Sequence, residues 1–228
     1  MPESGVTEGI VNAKDFKPAV LRILRPITGA LIRSGIHPNT LSYAGLAVSL
    51  AAGWLYGEGP LGWAAFLLLL AGVFDLLDGA VAREGHRMSR FGAFLDSNLD
   101  RYAEIAVFLG IVWRFQGETL TQVVAVLGIT GSLMVSYTKA RAEGLGQEVS
   151  GGMLQRPERI VLLALGSFFL EGGLRVVLWV LAVFTNLTSV QRMVLVARSM
   201  AREEASEAPD DGDVKVEARE IEPAPPSA

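Results

Sequence analysis

The 228 residues are 50% hydrophobic and only 19% charged, with a mean hydropathy of +0.38, a balance that argues against a soluble globule and for a chain embedded in a bilayer. The formal net charge of −4 arises at the end of the chain, where the last 26 residues hold nine acidic residues against two basic ones and leave the remainder mildly basic. No cysteine is present, which excludes disulfides, thiolate metal sites and a cysteine nucleophile, and no nucleic-acid partner is expected.

The first residues, MPESGVTEGIVNAKDF, lack a basic segment followed by an apolar one, so no cleaved signal peptide is expected. Over 16–36, Lys17, Arg22, Arg25 and Arg33 alternate with a Leu/Ile face, the pattern of an amphipathic helix lying among lipid headgroups. Pro38 closes that helix, and Asn39 or Thr40 is expected to cap the next one. Hydrophobic runs then predict six membrane spans, near 41–57, 61–82, 92–115, 120–142, 156–171 and 174–197. The fifth is short for a hydrocarbon core about 30 Å thick.

The expected fold is therefore all-α and integral to the membrane, with an N-terminal interfacial helix and six transmembrane helices in one domain over 1–202. From 203 to 228 the acidic, Pro-containing sequence reads as a disordered cytoplasmic tail. The connections alternate in charge. GEGP, QGET and LEGG carry only Glu58, Glu118 and Glu171, whereas the others hold Arg83, Arg87 and Arg90, then Lys139, Arg141, Arg156 and Arg159, then Arg198 and Arg202. Basic loops mark the cytoplasmic side, which places both termini there, in a multi-pass protein of the cell membrane. Arg114 and Arg175 run against this pattern.

Within this apolar frame, Phe74–Glu104 carries four aspartates, Asp75, Asp78, Asp96 and Asp100. At helical period, Asp75, Asp78, Gly79, Ala82 and Arg83 share an arc about 140° wide. Gly92, Asp96 and Asp100 recur at i, i+4 and i+8, on one face of the following helix, and the short turn between predicts two antiparallel neighbours whose acidic faces meet. An unneutralised charge at mid-membrane costs about 2.5–3.5 kcal/mol on insertion scales, and Arg83 cannot balance four carboxylates. All-oxygen donors favour a hard divalent ion, Mg²⁺, Mn²⁺ or Ca²⁺, over zinc, and four carboxylates are enough for two ions flanking a phosphate. Gly79 and Gly92 would let a ligand approach the backbone closely.

DLLDGAVAR, eight further residues and GAFLDSNLD resemble the signature of the CDP-alcohol phosphotransferase family, D-x-x-D-G-x-x-A-R … G-x-x-x-D-x-x-x-D, with every fixed position filled. HPNTLS is similar to the P-N-x-L-[ST] segment that opens the family's first span. The resemblance covers nearly everything before Glu203. It implies a CDP-linked donor whose pyrophosphate sits on a two-metal centre, Mg²⁺ with Mn²⁺ as an alternative, held by Asp75, Asp78 and Asp96 with Asp100 close by. Asp100 would be the general base, and Asn39, Thr40, Asp78, Gly79, Arg83 and Gly92 would shape the donor pocket. A homodimer is implied by the resemblance alone. GWLYGEG and AVLGITGSL offer small faces that could serve a dimer or packing within one chain.

The second basic loop bears on the acceptor. Ser136 and Lys139 are spaced i, i+3, as are Arg156 and Arg159, and such a cluster suits a phosphorylated acceptor better than a neutral one. The region resembles the branch of the family that makes phosphatidylinositol phosphate and CMP from CDP-diacylglycerol and inositol 1-phosphate. By that resemblance Ser136, Lys139, Arg156 and Arg159 hold the acceptor phosphate, joined by a late arginine, Arg198 or Arg192. GGMLQRPER matches only approximately, so glycerol 3-phosphate, giving phosphatidylglycerol phosphate, is the enzymatic rival. An ion or proton transporter is the rival of another class, and it would spread its acids across the membrane depth.

Overall fold

The computed structural model of the chain describes residues 13–147 and 154–207. Among these residues there are seven helices and no strand: α1 Ala13–Arg33, α2 Pro38–Glu58, α3 Leu61–Glu84, α4 Arg90–Arg114, α5 Thr119–Glu143, α6 Arg156–Phe168 and α7 Leu170–Glu207. Three of them, α3, α5 and α7 as far as Glu203, are long and apolar enough to cross a membrane by length and composition. The helix starting at residue 38 is capped by His37, whose side chain accepts from the Asn39 backbone N–H, with Pro38 in the first turn. Neither Asn39 nor Thr40 is that cap. Proline's fixed φ and missing N–H suit it to the first helical position, which moves the cap one residue upstream.

Helices α2 to α7 close into a ring: α2 packs on α3, α3 on α6, α6 on α7, α7 on α5, α5 on α4, and α4 back on α2. α1 lies outside the ring against α3, where Leu24 joins Leu41, Leu77 and Val81 in a small apolar cluster. One relationship departs from expectation. α3 and α4, joined by a turn of five residues, are not packed neighbours among the described residues, because both lean on α2. Their acidic faces look into a cleft between them, where carboxylates of the two helices come within 4.8 Å of each other.

The small residues expected to form packing faces are used within the chain. A Cβ on Gly110 would fall 1.8 Å from the Gly53 carbonyl oxygen, and one on Gly53 would fall 2.4 Å from that of Ala106. Gly131 is pressed in the same way against Thr185 and Asn186 of α7. In lipid such close backbone approach replaces the hydrophobic drive that packs helices in water.

At the far end of the ring from the acidic residues, Tyr56, Ile111, Phe115, Leu174 and Leu178 form a closed core. The two arginines that run against the charge pattern are consumed here. Arg114 donates to the backbone carbonyls of Tyr56 and Gly59 and pairs with Glu171. Arg175 pairs with Glu118 and lies over the Phe115 ring. α6 stops at Phe168 and Leu170 has φ +58°, so the turn falls before the LEGG segment, which instead opens α7. Thirteen residues of helix span only about 20 Å, short of the stretch expected over 156–171. α7 continues as helix through Glu207, past the expected start of the acidic tail, and residues 208–228 lie outside the described residues.

Candidate active site

The cleft is lined by α2, α3, α4 and the first residue of α6. α3 brings Asp75 and Asp78, and α4 brings Asp96 and Asp100 one helical turn apart. Asp75, Asp78 and Asp96 each place a carboxylate oxygen within 4.8 Å of the other two. Asp78 is buried and accepts a 2.7 Å hydrogen bond from Ser42 Oγ on α2. The turn between α3 and α4 is pinned to the connection between α1 and α2. Its Arg87 donates to the carbonyls of Gly35 and Ile36, and its Ser89 caps α4 by accepting from the Gly92 N–H.

The donor set consists of oxygens alone, which suits hard divalent ions, and the cluster already attracts a cation from its own chain. Arg156, at the start of α6, sets Nη1 2.7 Å from Asp75 Oδ1 and 2.7 Å from Asp100 Oδ1. The Asp triad with this counter-charge fits a metal centre.

Of the residues expected around a donor, Asp78 lines the cleft, and Asn39, Thr40, Gly79, Arg83 and Gly92 lie on neighbouring turns of α2, α3 and α4. Gly79 leaves room for the Arg83 guanidinium, whose Nη1 lies 3.1 Å from where a Cβ would stand. Gly92 faces Asn39, with Asn39 Oδ1 3.3 Å from its missing Cβ, so the first turns of α2 and α4 meet. Thr40 and Arg83 are exposed.

The residues expected to hold an acceptor phosphate divide. Arg156 and Arg159 turn inward. Lys139 is exposed and paired with Glu143 at 3.6 Å, and Ser136 is half-buried. Arg198 is exposed on the distal part of α7, beside Leu195, Ser199 and Arg202. Arg192, one and two-thirds turns earlier, is buried and donates to the Val135 carbonyl at 2.7 Å. Behind the carboxylates, Glu104 Oε1 accepts from Ser132 Oγ at 2.5 Å and from Arg159 Nε at 3.2 Å.

Sequence reasoning passed over Ser42, Glu104 and Ser132. Ser42 is the final residue of HPNTLS, and its signal was the segment already noted. Glu104 continues the Gly92, Asp96, Asp100 stripe by one more interval of four. Ser132 had no signal, since its role depends on which face α5 turns to α4.

Comparison with known proteins agrees with this geometry. The model of the CDP-alcohol phosphatidyltransferase family matches residues 35–206. A phosphatidylinositol phosphate synthase of Mycobacteroides abscessus is 38% identical over 201 residues, covering 84% of this chain and 89% of the relative. A crystal structure of Mycobacterium tuberculosis phosphatidylinositol phosphate synthase with CDP-DAG bound superposes with a TM-score of 0.70 at 35% identity, over 77% of this chain and 94% of that one. The same M. tuberculosis enzyme in complex with manganese and citrate also gives 0.70 at 35% identity, over 75% and 87% of the two chains. With the four signature aspartates lining one cleft and the family model spanning the ring of helices, this chain belongs to the CDP-alcohol phosphatidyltransferase family of membrane-embedded transferases.

Proposed function

We propose that the protein transfers the phosphatidyl group of CDP-diacylglycerol to a hydroxyl of inositol 1-phosphate, forming phosphatidylinositol phosphate and releasing CMP. The observation that carries this reading is an acidic, metal-fitting cleft backed directly by buried arginines. A phosphorylated acceptor can use the guanidinium donors that the carboxylates leave over, such as Arg159 Nη2, which has no partner among the described residues, whereas a neutral one gives them no anion to bind.

Asp75, Asp78 and Asp96, with Asp100 at hand, would hold two divalent ions, Mg²⁺ or Mn²⁺, whose chemistry is charge neutralisation at the donor pyrophosphate. Asn39, Thr40, Gly79, Arg83 and Gly92 shape the pocket for cytidine and the phosphates. Asp100 takes the proton of the acceptor hydroxyl as its oxygen attacks the β-phosphorus. The phosphoanhydride bond breaks, CMP departs and a phosphodiester remains. Arg156 and Arg159 bind the acceptor phosphate, with Ser136 and Lys139 at the rim of that site. The inward-facing Arg192 fits the role of the late arginine better than the exposed Arg198.

In the same reading α2 to α7 are the six transmembrane helices and α1 lies in the interface, its basic residues toward headgroups. The active site and both termini face the cytoplasm, as the basic connections require. A homodimer belongs to this proposal and is measured by the mass of the detergent-solubilised protein.

Purified protein given CDP-diacylglycerol, Mg²⁺ and radiolabelled inositol 1-phosphate is expected to release CMP and to form a labelled lipid, with free inositol inert. Turnover with glycerol 3-phosphate but none with inositol 1-phosphate would overturn the choice of acceptor.

A further inference from the structure

We propose that Glu104, assisted by Ser132, is a positioning residue that holds Arg159 ready for the acceptor phosphate. This inference rests on the acceptor reading above. Glu104 lies four residues beyond Asp100 on the same face of α4, yet it serves different partners from the three-carboxylate cluster. Its Oε1 accepts from Ser132 Oγ on α5 and from Arg159 Nε on α6. One carboxylate therefore ties three helices of the ring together.

Arg159 is 4% exposed, and its guanidinium is only partly satisfied. Nε goes to Glu104, Nη1 donates to the Leu154 carbonyl at 3.1 Å, and Nη2 is buried with no partner among the described residues. A buried donor left without an acceptor bears its full desolvation penalty, so it calls for an explanation, and a ligand that completes it supplies one. Arg159, Glu104 and Ser132 line one cavity, and Ser49 and Arg156 line both that cavity and the carboxylate cleft. The cavity is thus the space next to the reacting centre.

The carboxylate has two effects there. It compensates the Arg159 charge while no acceptor is bound, which keeps a guanidinium tolerable in this apolar setting. It also engages the Nε side, which fixes the plane of the fork and leaves Nη2 for a phosphate oxygen. Ser132 anchors Glu104 in turn. A neutral side chain at 104 would leave Arg159 uncompensated and free to turn.

The test uses the full chain in detergent with CDP-diacylglycerol, Mg²⁺ and inositol 1-phosphate. Glu104→Gln keeps the size and an accepting oxygen but loses the charge. Its acceptor KM is expected to rise about tenfold, the value of one charge-assisted hydrogen bond, with donor KM and kcat within about twofold. Arg159→Gln should raise acceptor KM at least as far, and the double variant should be no worse than Arg159→Gln alone, because Glu104 acts through Arg159. Ser132→Ala should move acceptor KM in the same direction by a smaller factor, and it supplies the comparison if Glu104→Gln fails to fold. Multiplying effects in the double variant, or an unchanged acceptor KM in Glu104→Gln, would overturn the positioning role while leaving the acceptor reading intact. An unchanged acceptor KM in Arg159→Gln would remove Arg159 from the acceptor site and the positioning role with it, while turnover with inositol 1-phosphate decides the acceptor reading separately. If glycerol 3-phosphate is the acceptor turned over, the same comparisons with that acceptor decide positioning in the same terms.

Discussion

Arg156 on α6 sets a single guanidinium nitrogen 2.7 Å from Asp100 on α4 and equally close to Asp75 on α3. One cation thus bridges carboxylates of two helices that do not pack on each other. It sits among the same acids that would hold divalent ions, so the two kinds of cation compete. Arg156→Gln is expected to tighten Mn²⁺ binding about tenfold, the factor set by losing a competing charge-assisted hydrogen bond. Titration of the purified protein followed by electron paramagnetic resonance reads this directly, and unchanged or weaker binding would show that Arg156 is not a competitor.

Ser42 bears on the other side of the cluster. Its hydroxyl occupies one oxygen of the buried Asp78 and leaves lone pairs on both for a metal. Partners of this kind orient a ligand, and their loss costs about 10–100-fold in metal affinity. Ser42→Ala should weaken Mn²⁺ binding by at least about tenfold, and Ser42→Thr, which keeps the hydroxyl, should restore it. Equal affinities for wild type and Ser42→Ala would sink the idea.

The α2–α4 contact sets the width of the cleft at a distance from it. A Cβ on Gly110 would meet the Gly53 carbonyl at 1.8 Å, and backbone cannot yield as a side chain can. Gly110→Ala should cost about 1–3 kcal/mol or more and lower the melting temperature in detergent. Gly62→Ala, in a helix of the same ring but with nothing within 4 Å of the new Cβ, should change stability by less than about 0.5 kcal/mol. Similar melting temperatures for the two variants would remove the close approach as a determinant of the fold.

The two late arginines provide a third comparison. Arg192 is buried beside α5 and Arg198 is exposed on the distal part of α7. Arg192→Gln is expected to raise acceptor KM about tenfold or more, whereas Arg198→Gln should leave it within about twofold. The reverse order in steady-state kinetics would assign the role to Arg198.

The acidic stripes were legible because a helix repeats locally: Asp75, Asp78 and Gly79 share a face, as do Gly92, Asp96 and Asp100, whatever else the chain does. Glu104 obeyed the same rule but was passed over because it falls outside the eight-position signature. The late arginine was ambiguous for a different reason. Arg192 and Arg198 are both on α7, about 120° apart in helical projection, and only the packing of α7 on α5 and α6 decides which one turns inward. The pairing of Arg156 with Asp75 joins residues 81 positions apart, beyond the reach of any periodicity.

The sequence by itself determined the apolar helices, the faces that carry the carboxylates and the family signature, since each depends on composition and on a repeat of 3.6 residues. Only the tertiary structure decided that α3 and α4 face each other across a cleft instead of packing. It also decided that the glycines serve contacts within the chain, and that Arg156 and Arg159 reach Asp100 and Glu104. These outcomes depend on how six helices close into a ring, and ring closure is settled by backbone approach and charge pairing between segments far apart in the chain.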